Sequence, residues 1–158
     1  MLKKTVAAFA IVSAAVLGLT PPASAEVRSS PDCQNSAGYQ TLVTPRAAVI
    51  ATNDVIVGEV QLCRQGSLYF AFVLFDQAMT TSQYAQAYLT RYDQGVRVGT
   101  VTCDSTGGNG KVLPGQRRCW TPNLNGDAAR YTFVAAADQH SSHTGALLAS
   151  GNTGIPTR

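Results

Sequence analysis

From Ala47 onward the chain alternates short apolar runs with turn residues. Ala47 to Thr52 (AAVIAT) leads into Asn53-Asp54 and then Val55 to Cys63 (VIVGEVQLC). Two residues of Asn-Asp type between apolar runs predict a tight hairpin. Arg64-Gln65-Gly66-Ser67 turns the chain again, and Leu68 to Phe75 (LYFAFVLF) is apolar at every position. A short, aromatic-rich run between turns reads as a strand covered on both faces rather than as a buried helix.

Tyr84 to Tyr92 (YAQAYLTRY) fits two periods. As a helix capped by Ser82 it would place Tyr84, Tyr88 and Tyr92 on one stripe. As a strand it places Tyr84, Gln86, Tyr88, Thr90 and Tyr92 on one face and Ala85, Ala87, Leu89 and Arg91 on the other. Asp93-Gln94-Gly95 then reads as a three-residue hairpin loop with Gly95 in the left-handed position, which favours the strand over the helix without excluding it. Val96 to Cys103 (VRVGTVTC), Arg118 to Thr121, Arg130 to Ala137 (RYTFVAAA) and Ala146 to Ser150 complete the set, with a glycine-rich loop over Asp104 to Gly110. Seven or eight short strands with frequent turns predict an all-β fold, an antiparallel sandwich or small barrel. VIVGEVQLC and VRVGTVTC share V-x-V-G-x-V, which reads either as the general likeness of antiparallel strands, the favoured reading, or as two related halves of one sandwich.

The N-terminus has a different pattern. Lys3 and Lys4 precede an uncharged apolar stretch from Thr5 to Leu19, then Thr20-Pro21-Pro22 and Ala23-Ser24-Ala25. Charge, apolar core and a small-x-small site together predict a signal peptide over residues 1–25 and one secreted domain over 26–158. A membrane span would need about 20 apolar residues, and no later stretch is apolar enough. The formal charge of +3 falls to +1 when the signal goes, since Lys3 and Lys4 are two of the twelve basic residues and nine are acidic. No broad basic field remains for nucleic acid.

Export changes how the four cysteines read. An even count in an exported chain predicts two disulfides; three pairings are possible, of which Cys33–Cys63 with Cys103–Cys119, the sequence neighbours, is favoured. The second would close the loop Asp104 to Arg118, worth roughly 3 kcal/mol in the chain-entropy treatment. No CxxC pair exists to hold zinc.

Catalytic patterns are sparse. His140 and His143 lie in Asp138-Gln139-His140-Ser141-Ser142-His143, a polar stretch that reads as a solvated loop. There is no G-x-S-x-G elbow and no H-E-x-x-H helix. The carboxylates are scattered, with Glu59 in mid-strand. Gly107-Gly108-Asn109-Gly110-Lys111 is followed by Val112 and so fails as a phosphate loop. Neither a cofactor nor a metal is expected. Two surface features remain. The tyrosine row, Tyr84, Gln86, Tyr88 and Tyr92, has side chains suited to sugar or protein contact, although rings at this spacing also line cores. The tethered loop could offer Leu113, Pro114, Arg117 and Arg118 to a protease.

Cys33 followed by Gly38-Tyr39, the V-x-V-G-x-V of Val55 to Val60, and Pro114-Gly115 ahead of Cys119-Trp120 resemble the small exported β proteins of actinobacteria of the spore-associated protein A type. The resemblance covers three short stretches and carries over no catalytic residues. It implies a non-enzymatic extracellular or cell-surface role. The sequence-based expectation is therefore a secreted, non-catalytic β domain that binds an extracellular protein or a cell-wall component. A protease inhibitor and a small hydrolase are the alternatives.

Overall fold

A computed structural model describes residues 41–43 and 46–154 of the chain. The expected signal peptide, its expected cleavage point and Cys33 lie outside the described residues. The strands are β1 (Thr41–Leu42), β2 (Ala47–Ala51), β3 (Ile56–Gln65), β4 (Leu68–Phe75), β5 (Tyr84–Asp93), β6 (Val96–Thr102), β7 (Arg118–Trp120), β8 (Leu124–Asn125), β9 (Tyr131–His140) and β10 (Leu147–Asn152). All strand pairs are antiparallel, and no helix occurs among the described residues. One sheet runs in the order β6-β5-β9-β10-β2-β3-β4-β7, with β1 added to β3 and β8 to β4.

The sheet curls into a nearly closed barrel because β3, β4, β5 and β9 each turn an apolar face inward. Val60 and Leu62 of β3, Tyr69, Ala71, Val73 and Phe75 of β4, and Ala85, Ala87 and Leu89 of β5 enter one core with Phe133, Ala135 and Ala137 of β9. The β5–β9 wall is built largely of alanine, and Ala87 lies directly across from Ala137. Small residues there leave room for the larger side chains of β3 and β4, an interdigitation that gives the interior its density. Tyr69 stacks on Phe133 inside, with ring centroids 3.9 Å apart.

The fully apolar β4 is covered on both faces, as its sequence predicts. Phe70 and Phe72 point out of the barrel and form a second, smaller cluster with Cys63, flanked by Leu42, Leu74 and Trp120.

Between the edge strands the chain itself supplies the seam. Val112 and Ala85 exchange backbone hydrogen bonds of 2.8 and 3.0 Å, while Phe75 donates to the Arg117 carbonyl at 2.7 Å and Met79 to that of Gln116 at 2.7 Å. Residues 112–117 therefore bridge the start of β5 to the end of β4. The Cys103–Cys119 disulfide is present at the same seam, with Cα atoms 6.0 Å apart.

The two hairpin loops differ from their sequence readings. Ala51 donates to the Val55 carbonyl, so Thr52, Asn53 and Asp54 form a three-residue loop, with Asp54 at φ 63°. A short Asp side chain tolerates that left-handed backbone. Asp93 pairs directly with Val96, so Gln94-Gly95 is a two-residue loop with both residues at positive φ, 51° and 85°. That is the type I′ geometry whose twist matches the flanking strands. The last long strand also runs further than its apolar core suggests, from Tyr131 to His140.

Candidate functional site

Alternation along β5 turns Ala85, Ala87 and Leu89 inward and leaves Tyr84, Gln86 and Tyr88 on the outer face. The register with β9 sets Tyr84 opposite His140 and Gln86 opposite Asp138. Side chains directly opposite on an antiparallel pair lie within contact distance. The tyrosine row thus meets the polar end of β9, and the loop after β6 adds Asp104 and Lys111.

Tyr84 stacks on His140 at 5.3 Å and on His143 at 4.6 Å between ring centroids. The Lys111 ammonium lies 5.7 Å from the centroid of the Tyr84 ring. Beneath this aromatic group runs a hydrogen-bonded chain. The Tyr88 hydroxyl donates to Asp138 Oδ2 at 2.7 Å, and His140 Nε2 lies 3.3 Å from the same oxygen. Gln86 Nε2 donates to Asp104 Oδ2 at 3.0 Å. The Lys111 amide donates to Asp104 Oδ1 at 2.9 Å, and its ammonium sits 3.2 Å from Oδ2. Gln86 Oε1 and Asp138 Oδ1, on cross-strand neighbours, are buried acceptors without a partner among the described residues.

Burial, and then the hydrogen bond and negative charge of Asp138, push the Tyr88 phenol well above its ordinary value of 10.0. At Asp104, burial works to raise the carboxyl. The hydrogen bonds from the Lys111 amide and the Gln86 side chain, with the Lys111 charge, outweigh it and hold the group below 3.8.

His140 is placed differently from the solvated loop that the sequence suggests. It ends β9, is half-buried, and points Nδ1 at the Gly145 carbonyl at 3.2 Å while Nε2 faces Asp138. A histidine that activates a serine needs one ring nitrogen on the hydroxyl and the other on the carboxylate. Here a carbonyl stands where the hydroxyl would be. His143 is exposed in the turn beyond, as expected.

Tyr92 does not join the group. It lies eight residues along β5 from Tyr84, roughly 26 Å at about 3.3 Å per residue, at the end where Arg130 pairs with Asp93 at 2.6 Å. The segment Leu113, Pro114, Arg117 and Arg118 is built into the seam. Leu113-Pro114-Gly115-Gln116 is a tight turn, closed by Gln116 donating to the Leu113 carbonyl, with Gly115 at φ 80° in the position a type II turn reserves for glycine. Leu113 and Pro114 are exposed. Arg117 is half-buried and bonds to the Asp76 carbonyl, and Arg118 lies in β7 opposite Leu74.

Asp104, Lys111, Asp138 and His140 were not singled out by the sequence as partners of the tyrosine row. Asp138 and His140 stand two apart, the strand period, and that spacing is the signal that a longer β9 would have made visible. Among the described residues no group of three His, Cys, Asp or Glu side chains is arranged to hold a metal ion.

The uncharacterized protein YjfA of Bacillus subtilis strain 168 is 33% identical to this chain over 127 residues, which cover 77% of this chain and 78% of that protein. The chain belongs to the YjfA family. No protein-family model matches it, and no solved structure matches it. Family membership supports a shared β fold but brings no activity with it, so function rests on the geometry above.

Proposed function

We propose that this member of the YjfA family is a secreted, non-catalytic binding domain. Its contact surface is the outer face of β5 and β9, and its partner is a cell-envelope component or an extracellular protein. The observation that carries the reading is the stack of Tyr84 on His140 and His143 beside the partly exposed Asp104 carboxylate, which Gln86 and Lys111 hold in place. Flat rings beside fixed acceptors suit a hydroxyl-rich polymer, because sugar rings present apolar faces to aromatics and hydroxyl donors to carboxylates. An envelope glycan is therefore the favoured partner class.

Export is supported by the disulfides and by the N-terminal sequence pattern. No helix among the described residues is long and apolar enough to cross a membrane. The occupied ring nitrogens of His140 support binding over hydrolysis. The internal hydrogen bonds of residues 112–117 support it over presentation of an inhibitory strand.

The test is co-sedimentation with purified cell envelopes. Tyr84→Ala and His143→Ala should each cut the bound fraction several-fold with little change in thermal midpoint. Retention by both variants equal to the parent would remove the β5–β9 face from the reading. Capture only by an extracellular protein, lost in the same variants, would assign the face to a protein partner.

A further inference from the structure

A cleft of ≈ 670 Å³ opens at the mouth of the barrel, between the β2–β3 hairpin and the loop that joins β4 to β5. It is larger than the ≈ 450 Å³ groove beside Arg46 and Glu59, and it falls within the roughly 300–1,000 Å³ of small-ligand sites. Its lining includes Phe75 and Met79, both buried, and Leu148. Val55 and Ile56 form the rim, and both are more than half exposed, at 52% and 60%. Two large exposed aliphatic side chains thus stand at one opening, above the buried Phe75 and Met79, where isolated ones would need no explanation.

The polar groups in the lining restrict what can enter. Among the described residues, Asp76 is its one charged residue, and no Lys, Arg or His contributes. An anionic head group would meet a carboxylate and no cation. Neutral amides are present instead. Gln139, from β9, donates Nε2 to the Met79 sulfur at 3.4 Å. A thioether is a weak acceptor, so a ligand carbonyl would give that amide a better one.

We propose that the cleft binds a neutral amphiphile, a single apolar chain or ring system carrying an uncharged carbonyl head, with Val55, Ile56 and Met79 against the apolar part and Gln139 on the carbonyl. The site is independent of the β5–β9 face, and its test does not read envelope binding.

The experiment titrates the purified protein with N-phenyl-1-naphthylamine, an uncharged fluorescent probe. The bound probe is then displaced with monododecanoylglycerol, dodecanoate or dodecane. Saturable probe binding is expected, with the neutral ester displacing it at about tenfold lower concentration than the anion of the same chain length. Ile56→Glu and Ala78→Trp each change an exposed residue at the rim, and each should weaken probe binding about tenfold without altering the circular dichroism spectrum. Gln139→Leu should remove the preference for the ester over dodecane. Absence of saturable binding, equal displacement by ester and anion, or parental affinity in both rim variants would overturn the proposal. So would concentration-dependent self-association that Ile56→Glu abolishes, because the rim would then be covered by a second copy of the chain.

Discussion

Cys103 and Cys119 are joined across the gap between the two ends of the strand order, one just after β6 and the other within β7. The bond closes covalently what the sheet leaves open, and the hydrogen bonds of residues 112–117 lie in the loop it encloses. The Cys103→Ala, Cys119→Ala double variant should lose about 2–4 kcal/mol in urea unfolding. Hydrogen exchange should rise first at the Val112 and Ala85 amides, since these hold the seam. Unchanged protection there would mean that the barrel is held shut without the bond.

Tyr88 gives an alkaline prediction. Its phenol is raised above 10.0 by burial and by Asp138, so the protonated form is favoured in the fold. The stability this contributes is full below pH 10 and is lost as the pH climbs towards the raised value, because the unfolded chain releases the proton first. Absorbance titration should show a step later than that of the exposed tyrosines, and Tyr88→Phe should remove the contribution of Tyr88 to it. The same variant leaves the half-buried Asp138 with one hydrogen-bond donor fewer and should cost about 1–3 kcal/mol at neutral pH.

Much of the fold was legible because period and burial agree. Leu68 to Phe75 was readable as a doubly covered strand from its composition alone, and the two faces of β5 follow from alternation. What escaped was set by partners distant in sequence. Asp138-Gln139-His140 looks like a loop in isolation, yet pairing with Gln86, Ala85 and Tyr84 extends β9 through it. The hairpin lengths were exchanged for a similar reason. Asp54 and Gln94 accept left-handed backbone without being glycine, so the turn residues did not reveal where pairing begins. The mouth cleft has no sequence signal, because its walls come from four separate segments.

Asp104 predicts the acid side. Its carboxyl is held below 3.8 by the Lys111 amide, the Gln86 side chain and the Lys111 ammonium, against the opposing effect of burial. A depressed folded value contributes stability above the unfolded value, and that contribution is lost as the pH falls through the folded one. Asp104→Asn should therefore be less stable than the parent near neutrality, and the gap should close in the acid range below 3.8. The carboxylate is 41% exposed, so screening limits the gap to about 1 kcal/mol or less. A gap that persisted unchanged to the lowest pH would assign the loss to packing rather than to charge.

The last prediction concerns Cys63. It is buried on the outer face of β3 against Phe70 and Phe72, and it is engaged in a disulfide. Of the four cysteines in the chain, Cys103 and Cys119 are joined to each other, and Cys33 lies outside the described residues. Non-reducing peptide mapping should recover Cys33 linked to Cys63 and no free thiol. Cys33→Ala should then leave a thiol at Cys63 that reacts slowly with thiol reagents in the folded protein, because Cys63 is fully buried against Phe70 and Phe72 and reagents cannot reach it. Reaction should speed up on unfolding in urea. Recovery of a Cys33–Cys119 peptide would contradict the Cys103–Cys119 closure as well. Fast labelling of Cys63 in folded Cys33→Ala would show that the outer cluster depends on the bond for its burial.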